Sequence, residues 1–280
     1  MQKIAIAIAI GILNLTSVSE VYSSQATSSD HYLKIRETFE PVQEVTWPVD
    51  DDNPWAHETI SAPDDEMVKV VRDSLQQAYC GDPSISKDLE KLEGMSSRRF
   101  RFFLNLLPKK IDKPRYLEVG LWKGSTFCSA IWNNASLTAA GVDNWSLFGG
   151  PKEACLENVK KFSEGNPKIS VIDSDFKKVT YTKLQGSPFN IYFYDGGHSY
   201  EEQRDCLKIV DAALDNKFLF IVDDYNWKEV REGTKDALKG YNVLYQFEVR
   251  TTMDDSHSSQ SNTYSNHHNG LFVAVLQKRL

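Results

Sequence analysis

Residues 115–126, reading Arg-Tyr-Leu-Glu-Val-Gly-Leu-Trp-Lys-Gly-Ser-Thr, constrain the fold of this chain more than any other stretch. Tyr116, Leu117 and Val119 make a short apolar run that stops at Gly120. Gly124 follows, and Ser125 and Thr126 open a helical pattern. The spacing predicts a strand, a tight glycine turn and a helix start. Glycine at both places lets a ligand approach the backbone, and a new helix leaves N–H groups free there. Glu118 adds a carboxylate at the carboxyl end of the strand, the end where open α/β sheets bind ligands. The same spacing also suits a turn with no ligand. The dinucleotide fingerprint G-x-G-x-x-G is absent, since only two glycines are present, four residues apart.

Strands and helices alternate from there on. Strands are expected at 116–120, 137–143, 168–173, 189–195, 218–223, 241–249 and 271–277. Helices are expected at 125–133, 152–162, 200–214 and 227–238, with a short one within 176–184. Ser199 and Glu202 hold capping-box positions, and Asn226 with Glu229 the equivalent ones before the next helix. Repeated βα units imply a doubly wound, Rossmann-like α/β sheet of seven strands, mostly parallel. The last two strands have no helix between them, which makes the last one antiparallel. Before the sheet, apolar residues recur at helical spacing over 66–80 and 97–107. These two helices are expected to form an N-terminal cap over the ligand edge, the second ending at Pro108.

The 280 residues suffice for one large or two small domains with a sizeable core. Between positions 30 and 66 lie 11 acidic and 2 basic residues, so with a net charge of −7 the remainder is close to neutral. That balance gives no nucleic-acid surface. Arg98, Arg99 and Arg101, set among Phe100, Phe102 and Phe103, read as an amphipathic helix with a solvated basic face. Cys80, Cys128, Cys155 and Cys206 are widely spaced, without a C-x-x-C pair, and fit reduced, buried thiols better than a zinc site.

Residues 1–26 have the pattern of a secretory signal: Lys3, an apolar run over 4–13, then small residues up to Ala26. The run is too short to span a bilayer, which needs about 20 residues. Export to the periplasm or medium is therefore the expected localisation, with a cytoplasmic chain as the alternative. An acidic, proline-containing irregular arm follows to position 65. The expected organisation is a signal peptide at 1–26, the arm and helical cap at 27–110, and the catalytic-type domain at 111–280. Residues 251–270 read as a polar loop, in which His257, His267 and His268 suit solvent more than a metal.

In a doubly wound sheet, functional residues gather where the strands end. The second expected strand ends in Asp143, whose carboxylate has acceptors for both hydroxyls of a ribose. The third ends in Asp173, Ser174 and Asp175, placed to contact a base or simply to cap a turn. The fourth ends in Asp195-Gly-Gly-His198 and the fifth in Asp223-Asp224. Adjacent strands lie about 4.8 Å apart, so these three acids would share one rim. Crowded carboxylates need a cation or shared protons. All-oxygen ligands favour a hard ion such as Mg²⁺. A helix cap at Asp223 or Asp224 is the plainer alternative. His198, on the turn after Asp195, is placed to act as a general base with Asp195 beside it, or only to orient the turn.

With these motifs in hand, residues 116–238 resemble the class I S-adenosylmethionine (SAM) dependent methyltransferases. The Asp-Gly-Gly-His-Ser-Tyr-Glu and Val-Asp-Asp-Tyr segments are similar to the branch holding macrocin-type sugar O-methyltransferases and cephalosporin-hydroxylase-like proteins. The resemblance implies that Glu118, Gly120, Gly124, Ser125, Asp143, Ser174 and Asp175 bind SAM. It implies that Asp195, Asp223 and Asp224 hold a divalent ion, Mg²⁺ above others, and that the acceptor is a small-molecule or sugar hydroxyl. Family members are usually cytoplasmic, which the signal-like segment departs from. An exported binding protein that keeps the fold without the reaction is the alternative. A hydroxylase would need a two-histidine, one-carboxylate iron site, which is not evident around Asp195.

Overall fold

Phe189–Tyr194 sets the centre of the fold. All six residues are buried, the pattern of a strand covered on both faces. The structure is a computed structural model that describes residues 55–80, 84–252, 254–256 and 269–279. The signal-like segment, the run Asp50-Asp51-Asp52, the side chain of Cys80, and His257, His267 and His268 lie outside the described residues.

The strands are β1 (Trp55–Ile60), β2 (Arg115–Val119), β3 (Thr138–Asp143), β4 (Ile169–Asp173), β5 (Phe189–Tyr194), β6 (Leu214–Asp223), β7 (Tyr241–Arg250) and β8 (Leu271–Lys278). The helices are α1 (Glu66–Cys80), α2 (Lys87–Glu90), α3 (Arg98–Lys110), α4 (Ser125–Ile131), α5 (Lys152–Ser163), α6 (Tyr200–Val210) and α7 (Lys228–Ala237). The sheet order is β1-β7-β8-β6-β5-β2-β3-β4. The block β6-β5-β2-β3-β4 is parallel, and β8 runs antiparallel between β6 and β7. The expected mostly parallel sheet with an antiparallel last strand is present.

Strand alternation divides the core. Tyr116, Ile191, Phe193, Leu219 and Val273 point to one face, covered by α1, α3, α4 and α5. Leu117, Val119, Tyr192, Phe220 and Ala274 point to the other, covered by α6 and α7. The N-terminal helices thus lie over one face of the sheet, and the turn before α3 reaches the ligand edge at Met95.

Several local expectations need correction. Residues 55–60, read as part of an irregular arm, form an eighth strand antiparallel to β7. Its inward position carries Glu58 where a hydrophobe would have announced a strand. Glu58 is buried, accepting from the Tyr245 hydroxyl at 2.8 Å and from Arg72 Nε at 3.0 Å. The short α2 was not expected. Ser86 caps it, its Oγ accepting from the Leu89 amide at 3.1 Å. Helix α3 runs through Pro108 to Lys110, and α6 stops at Val210, so β6 starts four residues earlier than read.

The basic face of α3 is also not solvated as a whole. Arg101 is buried and donates to the Leu89, Leu92 and Gly94 carbonyls at 2.7, 2.8 and 3.3 Å. Arg99 satisfies the Ala78 and Tyr79 carbonyls in the last turn of α1, at 3.0 and 2.7 Å. Cys128, Cys155 and Cys206 are free and buried.

Candidate functional site

Parallel register brings the expected strand ends to one edge. Val119 pairs with Val142 and with Tyr194, and Tyr194 pairs with Val222. The residues that follow, Gly120, Asp143, Asp195 and Asp223, therefore leave the sheet side by side. A cavity of about 540 Å³ opens there, lined by all four together with Ser174, Asp175, His198 and Asp224.

The glycine turn is built by packing as much as by access. Gly120 has φ +91°, and a Cβ there would stand 1.8 Å from the Asp195 carbonyl oxygen. The missing side chain is what lets the β2 and β5 ends close together, and the Asp195 amide donates to the Val119 carbonyl at 2.8 Å. Gly124, at φ +79°, starts α4, and a Cβ there would stand 3.1 Å from Cys155 Sγ and 3.7 Å from Cys128 Sγ. Gly120 also lines the cavity, which Gly124 does not. Gly124 faces the two thiols.

Three of the residues expected at the cofactor stand behind the cavity wall. Glu118 is fully buried, its carboxyl accepting from the Thr126 hydroxyl at 2.6 Å and from the Tyr116 hydroxyl. Burial pushes Glu118 up to about 8, against the two hydroxyl bonds, which oppose it. Ser125 is buried with its Oγ 3.2 Å from Ser96 Oγ. Gly124 is the third. Asp143 does line the cavity. Its Oδ2 already accepts from the Leu121 and Trp122 amides at 2.7 and 2.8 Å, and its Oδ1 from the Trp145 amide at 2.6 Å. A carboxylate has about four lone-pair sites. Only Oδ1 keeps one, so the expected grip on both hydroxyls of a diol is reduced to a single bond. Asp175 caps the turn at Phe176–Lys178, accepting from the Lys177 amide at 3.0 Å. Asp173 points outward to Lys152 at 2.7 Å.

At the other end, Asp195, His198 and Asp224 place one potential ligand atom each within 4.8 Å of one another. Asp223 lines the same cavity, but its Oδ1 accepts from the Asp224 amide at 2.9 Å. The structure therefore assembles His198 with two of the three expected acids and leaves Asp223 at the flank. His198 Nε2 lies 2.8 Å from Asp224 Oδ2, yet that nitrogen atom is buried and makes no hydrogen bond in this geometry. Two ligands at right angles on one ion, each with a bond of about 2.1 Å, stand roughly 3 Å apart. Burial first, then the charges of Asp223 and Asp224, hold the Asp195 carboxyl well above the usual carboxylate range. Asp223 is raised in the same way, by burial and by Asp224. A cation suits this site, since it would relieve both effects.

Two supports were not read from the sequence. Asp224 has φ +57°, a left-handed backbone that is uncommon outside glycine. Asn269 Nδ2 donates to Asp224 Oδ1 at 2.7 Å. Asn269 sits just before β8, in a segment read only as a polar loop. The Asn-Gly pair preceding an apolar run was the available signal. Asn226, expected as a helix cap, instead ties down the β7 end: its Oδ1 accepts from the Thr251 amide at 2.9 Å, and Nδ2 donates to Thr251 Oγ1 at 2.7 Å. Trp122, Trp145, Phe176 and Trp227 also line the cavity and were not singled out. Trp227 meets the His198 ring edge-on, with centroids 4.5 Å apart.

Comparison with known proteins agrees with this layout. Residues 117–225 match a family model described as a methyltransferase domain. No curated protein matches the chain significantly in sequence. Among solved structures, a Podospora anserina methyltransferase bound to SAH is 12% identical, covers 92% of this chain and 100% of its own, and gives a TM-score of 0.47. A Bacillus cereus O-methyltransferase in complex with SAH is 13% identical over 77% of this chain and 92% of its own, TM-score 0.45. TrmN from Thermus thermophilus is 12% identical over 69% of this chain and 52% of its own, TM-score 0.47. These likenesses are distant, and the assignment rests on the family match together with the glycine turn and the strand-end acids. Residues 117–225 of this chain match a methyltransferase domain, and the glycine turn and the strand-end acids fall within that match.

Proposed function

We propose that the chain is an O-methyltransferase that binds SAM along the carboxyl edge of β2, β3 and β4 and methylates a hydroxyl held beside Asp195. The reading is carried by one observation: Asp195, His198 and Asp224 converge in the cavity that the Gly120 turn also lines. SAM supplies an activated methyl group, and a divalent cation lowers the pKa of an oxygen bound to it. Asp195 and Asp224 would hold that cation, with Asp223 beside them. Asn269 fixes Asp224 by donating to its Oδ1, so the carboxylate does not swing when the cavity fills. His198 takes the acceptor's hydroxyl proton on Nε2, and the Trp227 ring packed against the imidazole restricts its rotation. Gly120, Asp143 and Ser174 form the nucleoside wall, with Asp143 offering one acceptor position. Holding the two reactants in line supplies most of the acceleration.

A second reading of His198 is favoured by its place within the acid group. As a third ligand its imidazole would shift the preference from Mg²⁺ toward ions that accept nitrogen. Titrating Mn²⁺ by electron paramagnetic resonance separates the two. A base leaves Mn²⁺ affinity unchanged in His198→Ala, whereas a ligand loses it by tenfold or more on the order expected for a metal-site residue.

Calorimetry with SAM and SAH on the chain lacking residues 1–26 tests the whole proposal. Binding is expected, and no heat change at millimolar ligand would rule it out in favour of a fold kept for binding alone. We also propose that residues 1–26 direct export, which the mature N-terminus, read by mass spectrometry, checks.

A further inference from the structure

Four large hydrophobic side chains are left exposed among the described residues: Met95, Leu147, Phe148 and Leu156. The first three all line the candidate cavity. Leu147 and Phe148 are 65% and 66% exposed. They belong to the loop between β3 and α5, which Trp122 anchors by donating from Nε1 to the Phe148 carbonyl at 3.2 Å. Exposed apolar residues scattered singly need no explanation, but three around one opening do.

The cavity wall is acidic as well. Six carboxyl residues line it against a single lysine, Lys177, and that lysine is bound to Glu202 at 2.7 Å. An acceptor carrying phosphate or another strong anion would meet repulsion with no free cationic side chain in the lining to offset it. A positively charged sulfonium is favoured by the same wall.

We propose that the acceptor is an uncharged, largely apolar hydroxyl compound whose ring or chain lies on Met95, Leu147 and Phe148 while its oxygen reaches Asp195. This rests on the methyltransferase reading above and narrows it: acceptors carrying a phosphate are disfavoured by charge.

A matched pair of probes, 2-naphthol and 2-naphthyl phosphate, tests it by calorimetry on the full chain with SAH present and no added metal. The neutral probe is expected to bind about tenfold or more tightly than the phosphate. The double variant Leu147→Ser, Phe148→Ser is expected to lose at least about fivefold in 2-naphthol affinity while SAH affinity stays within about twofold. Equal or tighter binding of the phosphate, failure of 2-naphthol to bind, or an unchanged variant overturns the inference. So does a parallel fall in SAH affinity, which would assign the rim to the nucleoside. SAH binding to the unaltered chain distinguishes the two levels: its absence removes the methyltransferase reading and the inference with it, whereas its presence with a phosphate preference removes the inference alone.

Discussion

Asp143 illustrates how a single carboxylate serves the fold before it serves a ligand. Three amides from two loops converge on it, so the turn after β2 and the loop after β3 are fixed by one side chain. Replacing it by alanine would orphan those amides, at a cost of about 1–3 kcal/mol for a buried unsatisfied group. Asp143→Ala is expected to lower thermal stability as well as SAH affinity, and thermal denaturation beside calorimetry checks both. His198 should behave differently. Its side chain is 27% exposed, and His198→Ala is expected to leave the melting temperature nearly unchanged. Methyl transfer should fall by roughly 10²-fold or more, the usual contribution of a general base. A melting shift with unchanged turnover would make it a turn-orienting residue.

At the scale of elements, the β2 turn and the β1 edge are the sensitive places. Gly120→Ala puts a methyl 1.8 Å from the Asp195 carbonyl at φ +91°, so the ends of β2 and β5 must separate. Strain of this kind costs on the order of 1–3 kcal/mol before the clash is added. Loss of SAH binding together with a lower melting temperature is the expected result. Strand β1 hangs on Glu58. Glu58→Ala would leave the buried Tyr245 hydroxyl without its partner and free Arg72, costing about 1–3 kcal/mol. Hydrogen exchange should then rise over Trp55–Ile60 while β5 and β6 stay protected.

Across the whole molecule, buried acids make stability depend on pH. Glu118 is raised from 4.5 to about 8, mainly by burial, so the folded state holds its proton where the unfolded chain releases it. Its contribution is complete below the unfolded value and is lost as pH climbs through the folded one. Asp195 and Asp223, also raised, act in the same direction. Metal-free protein is therefore expected to lose stability, on the order of a few kcal/mol, between about pH 4.5 and 8. Glu118→Gln should flatten that slope in urea titrations at several pH values. A divalent cation should restore stability most at the alkaline end, where the carboxyls it binds would otherwise repel.

What the sequence determined was order and period. Alternating apolar runs and helical repeats were enough to read the parallel block, because strands buried on both faces must be apolar and each crossover needs a helix. The strand-end rule then named Gly120, Asp143, Asp195, His198 and Asp224 before any coordinate placed them at one cavity. Tertiary structure alone decided which way each carboxyl faced. Glu118 turns into a helix-covered layer, Asp223 turns to its neighbour's amide, and Asp143 is claimed by loop amides, all choices made by partners distant in the chain. It also decided β1, whose buried Glu58 reads as solvent-facing until Tyr245 and Arg72 are seen against it. Periodicity is a local property and survives in one dimension, whereas a polar group's partner is fixed only when the chain closes around it.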